Sequence, residues 1–104
     1  MLTIGQFQEI NRAENYVVTM HSRRRLSERG ILLRDVIHAV EHGEIIEQYP
    51  NDFPFPSCLI LGITIDNQYL HVVISRDDEH IYLITAYYPD EEEWKADRKT
   101  RKER

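Results

Sequence analysis

The chain has 104 residues, of which 41% are hydrophobic and 30% charged, which predicts one globular domain over residues 1–104. Because it has no apolar run of about 18 residues and no basic start followed by an apolar stretch, we expect neither a membrane segment nor secretion, and hence a cytoplasmic protein. The formal charge of −5 argues against a uniformly basic nucleic-acid-binding protein, although residues 95–104 carry six Lys and Arg against two Asp and Glu.

The N-terminal residues predict a short helix followed by an extended segment. Thr3 and Gln6 have the spacing of a capping box, which predicts a helix over about residues 3–13. Residues 16–19 are β-branched or aromatic and are compatible with a short strand.

Two further helices are predicted before residue 43. The segment 21–29 is rich in helix formers and should end at Gly30, in the left-handed conformation that favours glycine. The segment 33–42 is also followed by a glycine. Its apolar side chains recur at helical spacing and should face a core: Leu33, Val36, Ile37 and Val40.

From Glu44 onward the hydrophobic pattern changes to a period of two. Strands are predicted over residues 44–49, 57–65, 69–75 and 80–88. Their connections are too short for parallel crossovers, so we expect an antiparallel meander of about four strands. Asp90 and Glu93 have capping spacing after Pro89, which predicts a C-terminal helix over the basic tail, residues 90–104. The predicted fold is therefore α+β, with N-terminal helices, an antiparallel sheet and a C-terminal helix.

The densest group of reactive side chains lies on the second predicted helix. His21, Arg25 and Arg29 recur every four residues and so line one side of a helix. An imidazole moves protons near neutral pH and a guanidinium binds two phosphate oxygens, so this pattern is a candidate phosphodiester site, with Arg24 and Arg29 as phosphate or RNA contacts. The alternative is an ordinary exposed face on which Glu28 pairs with Arg24 or Arg25.

A second candidate surface lies on the last two predicted strands. By alternation, Ile81, Leu83, Thr85 and Tyr87 should share one face. If His71 on the neighbouring strand faces Thr85 and Tyr87, an imidazole, a hydroxyl and a phenol meet on one surface that could hold a nucleotide by stacking. The alternative is a half-buried His71 bonded to a backbone carbonyl.

Three other residue types have simpler structural explanations. His38 and His42 have the i, i+4 spacing of zinc ligands, but without a further ligand set they favour surface positions. Cys58 is expected in the core, since the chain has one cysteine. Trp94 is expected to dock the terminal helix.

The order of these motifs resembles a small bacterial family of unknown function, number 4258, over about residues 16–88. The segments that carry the resemblance are YVVTMHSRRRLSERGI (16–31), HGEIIEQYP (42–50), PSCLILG (56–62), LHVV (70–73) and ITAY (84–87). The chain departs from the family pattern at Leu32 and Leu33, where a Ser or Thr cap is expected. Its net charge is also unlike that of strongly basic, ribosome-dependent toxins.

The resemblance implies a layout like that of RelE-like and BrnT-like toxins, which cleave RNA without metal. It also implies a small antitoxin partner with a zinc ribbon and a helix-turn-helix. It carries over His21 and Arg25 as a helix motif, and His71, Thr85 and Tyr87 as a strand motif.

The leading hypothesis is a metal-independent endoribonuclease of toxin type that needs no cofactor. His71 or His21 would take the proton of a ribose 2′-hydroxyl, and Arg25, helped by Arg24 or Arg29, would stabilise the phosphorane. Thr85 and Tyr87 would orient the phosphate. The main alternative is a non-catalytic protein-interaction module, and a zinc protein using His38 and His42 ranks last.

Overall fold

Three short helices and a five-stranded sheet make up the structure, a computed structural model that describes residues 1–103. The helices are α1 (Ile4–Gln8), α2 (Met20–Glu28) and α3 (Leu33–Glu41), with a 3₁₀ turn at Ala13–Asn15. The strands are β1 (Tyr16–Val18), β2 (Glu44–Tyr49), β3 (Ser57–Ile63), β4 (Tyr69–Arg76) and β5 (Ile81–Tyr87). The α+β class is as predicted. No helix among residues 1–103 is long and apolar enough to cross a membrane.

The helix ends follow the local chemistry of the sequence. The capping box of Thr3 and Gln6 is present, and Gly30 ends the α2 segment at φ +67°. Leu32 provides no side-chain cap for α3, as expected. Helix α1 is shorter than predicted and ends at Gln8. One reason is that the Asn11 side chain donates to the Ile37 carbonyl of α3 at 2.9 Å, which draws this segment away from continued helix.

The sheet has the order β1-β5-β4-β3-β2. Strands β2 to β5 form the predicted antiparallel meander, but the expectation of about four antiparallel strands was incomplete, because β1 pairs parallel with β5 at the edge. The chain between β1 and β5 contains two helices and three strands, so this pairing joins residues more than sixty positions apart, such as Val18 and Leu83. Local sequence patterns carry no information on such a contact.

All three helices contribute to a core on one face of the sheet. The fully buried side chains there include Phe7 from α1 and Val36 from α3, packed on Ile60, Leu70 and others of the central strands. Helix α3 comes very close to β3, since a Cβ at Gly62 would lie 2.2 Å from the Ala39 carbonyl oxygen. We call the opposite surface of the sheet the outer face.

Two β-bulges change which side chains reach the outer face. Ile45 pairs with Ile60, but Glu47 pairs with Leu59, so Ile46 is an extra residue in β2. A second bulge leaves Ile84 as the extra residue in β5. Consequently Ile81 and Leu83 face the core whereas Thr85 and Tyr87 lie on the outer face, and the prediction that these four share one face was wrong.

Residues 90–103 form turns and no α-helix, which corrects the predicted C-terminal helix. The Asp90 carbonyl accepts from the amides of Glu93 and Trp94 at 3.0 Å, so the capping sequence produces a single turn. The chain then reverses, and the Lys102 amide donates to the Glu93 carbonyl at 2.9 Å. This C-terminal strap (residues 90–103) buries Trp94, 2% exposed, on the outer face rather than in the helix-covered core. That burial outweighs the helical preference of the tail.

Candidate functional site

His71 and Tyr87 are neighbours on the outer face. Their Cα atoms pair across β4 and β5, and their rings meet edge to face with centroids 5.3 Å apart. Thr85 pairs with Val73 and so lies on the same face one step along the strand. His71, Thr85 and Tyr87 therefore share a surface, the arrangement that the sequence had left as one of two alternatives.

His71 is sealed inside this surface. Its ring is 0% exposed, and its Nε2–H donates to the Arg98 carbonyl of the strap at 2.7 Å. The Trp94 ring covers it edge-on, with centroids 4.5 Å apart. Burial lowers the pKa of His71, which keeps the imidazole neutral, and Nδ1 has no hydrogen-bond partner among residues 1–103. The prediction of a backbone-bonded histidine is confirmed in its hydrogen bond, but the ring is fully rather than half buried.

Three polar side chains of the outer face form one hydrogen-bonded group. Arg101 of the strap donates from Nε and Nη2 to the two carboxylate oxygens of Glu47, at 2.9 and 3.0 Å, and Tyr49 donates to Glu47 Oε1 at 2.6 Å. The hydrogen bonds from Arg101 lead the effects that lower the pKa of Glu47, so this carboxylate is ionised at neutral pH. Burial raises the pKa of Tyr87, which therefore stays protonated. We call Glu47, Tyr49, Tyr87 and Arg101 the outer-face cluster.

Arg29 approaches this cluster from the other side of Tyr87. Its Nη1 donates to Thr85 Oγ1 at 3.0 Å and to the Ala86 carbonyl at 2.8 Å, while Ser22 Oγ donates to the Ile84 carbonyl at 2.9 Å. These bonds satisfy the edge of β5 beyond the end of the three-residue β1. Burial is the leading cause of the raised pKa of Tyr87; the charges of Glu47 and Glu93 also raise it, whereas those of Arg101 and Arg29 lower it.

The remaining predicted residues stay apart from this cluster. His21, Arg24 and Arg25 are exposed on α2, and none of the three side chains forms a hydrogen bond or ion pair within residues 1–103. The predicted hollow shared by Arg25 and the His71 ring does not form, because Trp94 and the strap cover that ring. Of the basic residues predicted on α2, Arg29 is the one that reaches the outer face.

A family profile described as "Domain of unknown function (DUF4258)" matches residues 18–88, more than half of the chain. The chain belongs to this family. The resemblance noted in the sequence is thereby confirmed. No curated protein and no solved structure gives a significant match.

The family segment contains α2 and most of the outer-face cluster but not the strap. Glu47, Tyr49 and Tyr87 lie within residues 18–88, whereas Trp94 and Arg101 follow it. In this member of the DUF4258 family, the strap therefore supplies one of the two guanidinium groups and the cover over His71.

Sequence reasoning missed Glu47, Tyr49 and Arg101. Period-two alternation places Glu47 and Tyr49 on the same face as Ile45, and Ile45 packs on the core. The bulge at Ile46 moves the two polar side chains to the outer face instead. The sequence did contain one indication of the bulge: strict alternation from Ile45 would have turned the polar side chains of Glu47 and Tyr49 into the core.

His38, His42 and Cys58 lie apart from the outer-face cluster. His38 Nδ1 lies 2.9 Å from the Ile63 carbonyl, and the His38 and His42 ring centroids are 4.6 Å apart. Residues 1–103 contain no group of three or more side chains arranged to hold a metal ion. Cys58 is in the core, as predicted, and burial raises its pKa to about 12.

Proposed function

We propose that this DUF4258 protein is a metal-independent endoribonuclease of the kind found in toxin–antitoxin pairs, with its reactive centre at the Tyr87 hydroxyl. The observation that carries the proposal is that the outer face holds two guanidinium groups and an ionised carboxylate: Arg101 is bonded to Glu47, and Arg29 is bonded to Thr85 Oγ1 and to the Ala86 carbonyl next to Tyr87. Two guanidinium groups suit the two non-bridging oxygens of a phosphodiester, which share one negative charge, and the further charge that develops on a phosphorane.

Glu47 is the proposed general base. Its Oε1 accepts from both Arg101 and Tyr49, but Oε2 accepts from Arg101 alone, so one lone pair of Oε2 remains for a proton. The Glu47 side chain is 24% exposed, so substrate reaches it from solvent. A carboxylate base of this kind contributes about 10²- to 10⁴-fold to a proton-transfer step.

The proposed reaction is internal transfer within the RNA strand. Glu47 takes the proton of a ribose 2′-hydroxyl, and the 2′-oxygen forms a bond to the adjacent phosphorus. The bond from phosphorus to the 5′-oxygen breaks, and that oxygen takes the proton of Tyr87, whose raised pKa keeps it protonated beforehand. The proton on Glu47 then returns to Tyr87 through water. The products are a 2′,3′-cyclic phosphate and a 5′-hydroxyl.

This proposal reassigns several residues of the sequence hypothesis. His71 becomes a positioning residue, because its buried ring fixes the edges of Tyr87 and Trp94 and no substrate touches it. Thr85 positions Arg29 through their 3.0 Å hydrogen bond. A buried imidazole nitrogen without a partner among residues 1–103 is costly, and a role in holding the reactive centre is one reason to retain it.

The expected RelE-like layout and the antitoxin partner belong to this proposal. Helices that precede an antiparallel meander agree with such a layout, and β1 is an addition to it. A small antitoxin of the zinc-ribbon and helix-turn-helix type is the partner that the family resemblance implies.

The test is cleavage of labelled RNA oligonucleotides in excess EDTA. Wild-type protein should yield 2′,3′-cyclic phosphate ends, and Glu47→Gln should lower kcat/KM by roughly 100-fold or more. Tyr87→Phe should lower kcat with little change in KM, since the lost proton donor acts in the transition state. Arg34→Ala, an exposed arginine on α3, is the matched control and should cleave normally. Wild-type activity in Glu47→Gln, or no cleavage of any RNA by wild type, would refute the proposal.

A non-catalytic interaction module is the second candidate, and one observation favours it. Arg101 and Glu47 already bond to each other, and the strap already covers His71. These groups of the outer face therefore have protein partners without any bound substrate. Expression separates the two functions: a toxin arrests growth and a co-expressed antitoxin restores it, whereas a module is harmless and leaves RNA intact.

A further inference from the structure

Helix α2 and its C-cap residue Arg29 carry a row of basic side chains that begins beside β5, where Arg29 bonds to Thr85 and to the Ala86 carbonyl. Arg29, Arg25 and His21 are spaced by four residues, so each lies about 40° around the helix and about 6 Å along it from the next. Leu26 and Ser22 mark the buried side of α2, and Arg29 reaches over the edge of β5 to Thr85. The row therefore starts at the edge of the outer face and continues along the exposed flank of α2.

The charges of this row are available to a ligand. Arg25 and its neighbour Arg24 form no ion pair within residues 1–103, whereas strap residues Lys99 and Arg101 are paired with Glu44 and Glu47. Residues 23–29 carry four arginines against one glutamate, in a chain of net charge −5. This helix is therefore a local basic surface on an otherwise acidic protein, which concentrates anions at one place.

Arg29 also has donors to spare. Both of its hydrogen bonds within residues 1–103 use Nη1, so in that part of the chain Nε and Nη2 have no acceptor and are available to a ligand. Arg29 belongs both to the proposed reactive centre and to the row. It can therefore hold the phosphate that lies between the reacting group and the next position of the row, Arg25.

We propose that the exposed flank of α2 is a phosphate track for single-stranded RNA, in which Arg25 and then His21 bind successive phosphates of the strand that leaves the Tyr87 centre. This inference rests on the proposed function. The step of about 6 Å along the helix is close to the separation of neighbouring phosphates in an extended single strand, and guanidinium groups bind phosphate oxygens in pairs. The track gives affinity without base recognition, because phosphate contacts carry no sequence information.

Binding is measured with an octamer of 2′-O-methyl RNA, which lacks the free 2′-hydroxyl and is not cleaved. Fluorescence anisotropy is recorded over a series of salt concentrations. Arg25→Ala should weaken binding roughly three- to fivefold and lower the slope of log K against log salt by about 0.7, the value for one phosphate contact on a single strand. Arg34→Ala, the matched exposed arginine on α3, should change neither quantity.

Cleavage of two substrates gives the second measurement. Arg25→Ala should cleave a dinucleotide at the wild-type rate, because that substrate does not reach the track, and should cleave an octamer more slowly at subsaturating concentration. If wild type binds the octamer and Arg25→Ala binds it more weakly, yet no RNA is cleaved, the track stands and the nuclease proposal fails. The track is refuted if Arg25→Ala binds like Arg34→Ala, if wild type does not bind the octamer, or if it binds an acidic polypeptide in preference to RNA.

Discussion

Protonation of His71 should destabilise the fold below about pH 6.5, the ordinary pKa of a histidine. The ring is 0% exposed, Nε2–H is already used by the Arg98 carbonyl, and Nδ1 has no partner. A second proton would place an N–H and a positive charge in this buried position without an acceptor. Burial is the leading cause of the lowered pKa of His71, with Glu47 and Arg101 acting in opposite senses.

The size of the effect follows from linkage. Because the folded-state pKa lies below the unfolded one, the unfolded chain binds the extra proton first, so stability is complete above about pH 6.5 and falls as the pH decreases towards the folded pKa. The limiting slope is about 1.4 kcal/mol per pH unit. At pH 5.5, about one unit below the ordinary pKa, this limits the loss to at most about 1.4 kcal/mol, and each 1 kcal/mol lost lowers Tm by roughly 4–8 °C for a domain of this size.

Urea unfolding between pH 7.5 and 5.5 measures this loss. His71→Gln keeps an amide donor for the Arg98 carbonyl but does not titrate, so its free energy of unfolding should depend less on pH. His21→Gln replaces an exposed histidine and should retain the wild-type dependence. The reasoning is wrong if His71→Gln and wild type lose the same free energy over this range. The carboxylates with lowered pKa, such as Glu47, titrate below this window.

Three further predictions concern packing and reactivity. Gly62→Ala should lower the free energy of unfolding in urea by roughly 3 kcal/mol, because the new methyl group would lie 2.2 Å from the Ala39 carbonyl oxygen. Gly5→Ala, with open space around the new methyl group, should instead stabilise α1 by about 0.5–1 kcal/mol. Gly30→Ala should cost about 1 kcal/mol at its φ of +67°, and an unchanged midpoint would contradict that conformation. Cys58 should resist thiol reagents in the native state and react fully in denaturant; rapid native labelling would show that its buried position and raised pKa are wrong.

Part of the candidate site could be predicted from the sequence because it depends on strict alternation. In β4, His71 and Val73 lie opposite Leu70 and Val72, as the period of two requires, and Tyr87 comes beside His71. The roles given to His21 and Arg25 assumed an open His71 ring. That assumption was wrong because Trp94, more than twenty residues later in the chain, covers the ring.

The sequence by itself determined the features that depend on neighbouring residues: the capping box at Thr3, the glycine stop at Gly30, the apolar stripe of α3 and the antiparallel order of β2 to β5. These are decided by local hydrogen bonding, backbone sterics and side-chain periodicity, which short segments express on their own.

Only the tertiary structure decided the bulges at Ile46 and Ile84, the parallel pairing of β1 and the path of the strap. In each case the local sequence is compatible with more than one arrangement. Burial of Ile45 and Leu83 against the helices, and of Trp94 on the outer face, then selects one arrangement. Such burial joins segments distant in sequence, and it is what brings Glu47, Tyr87 and Arg101 together.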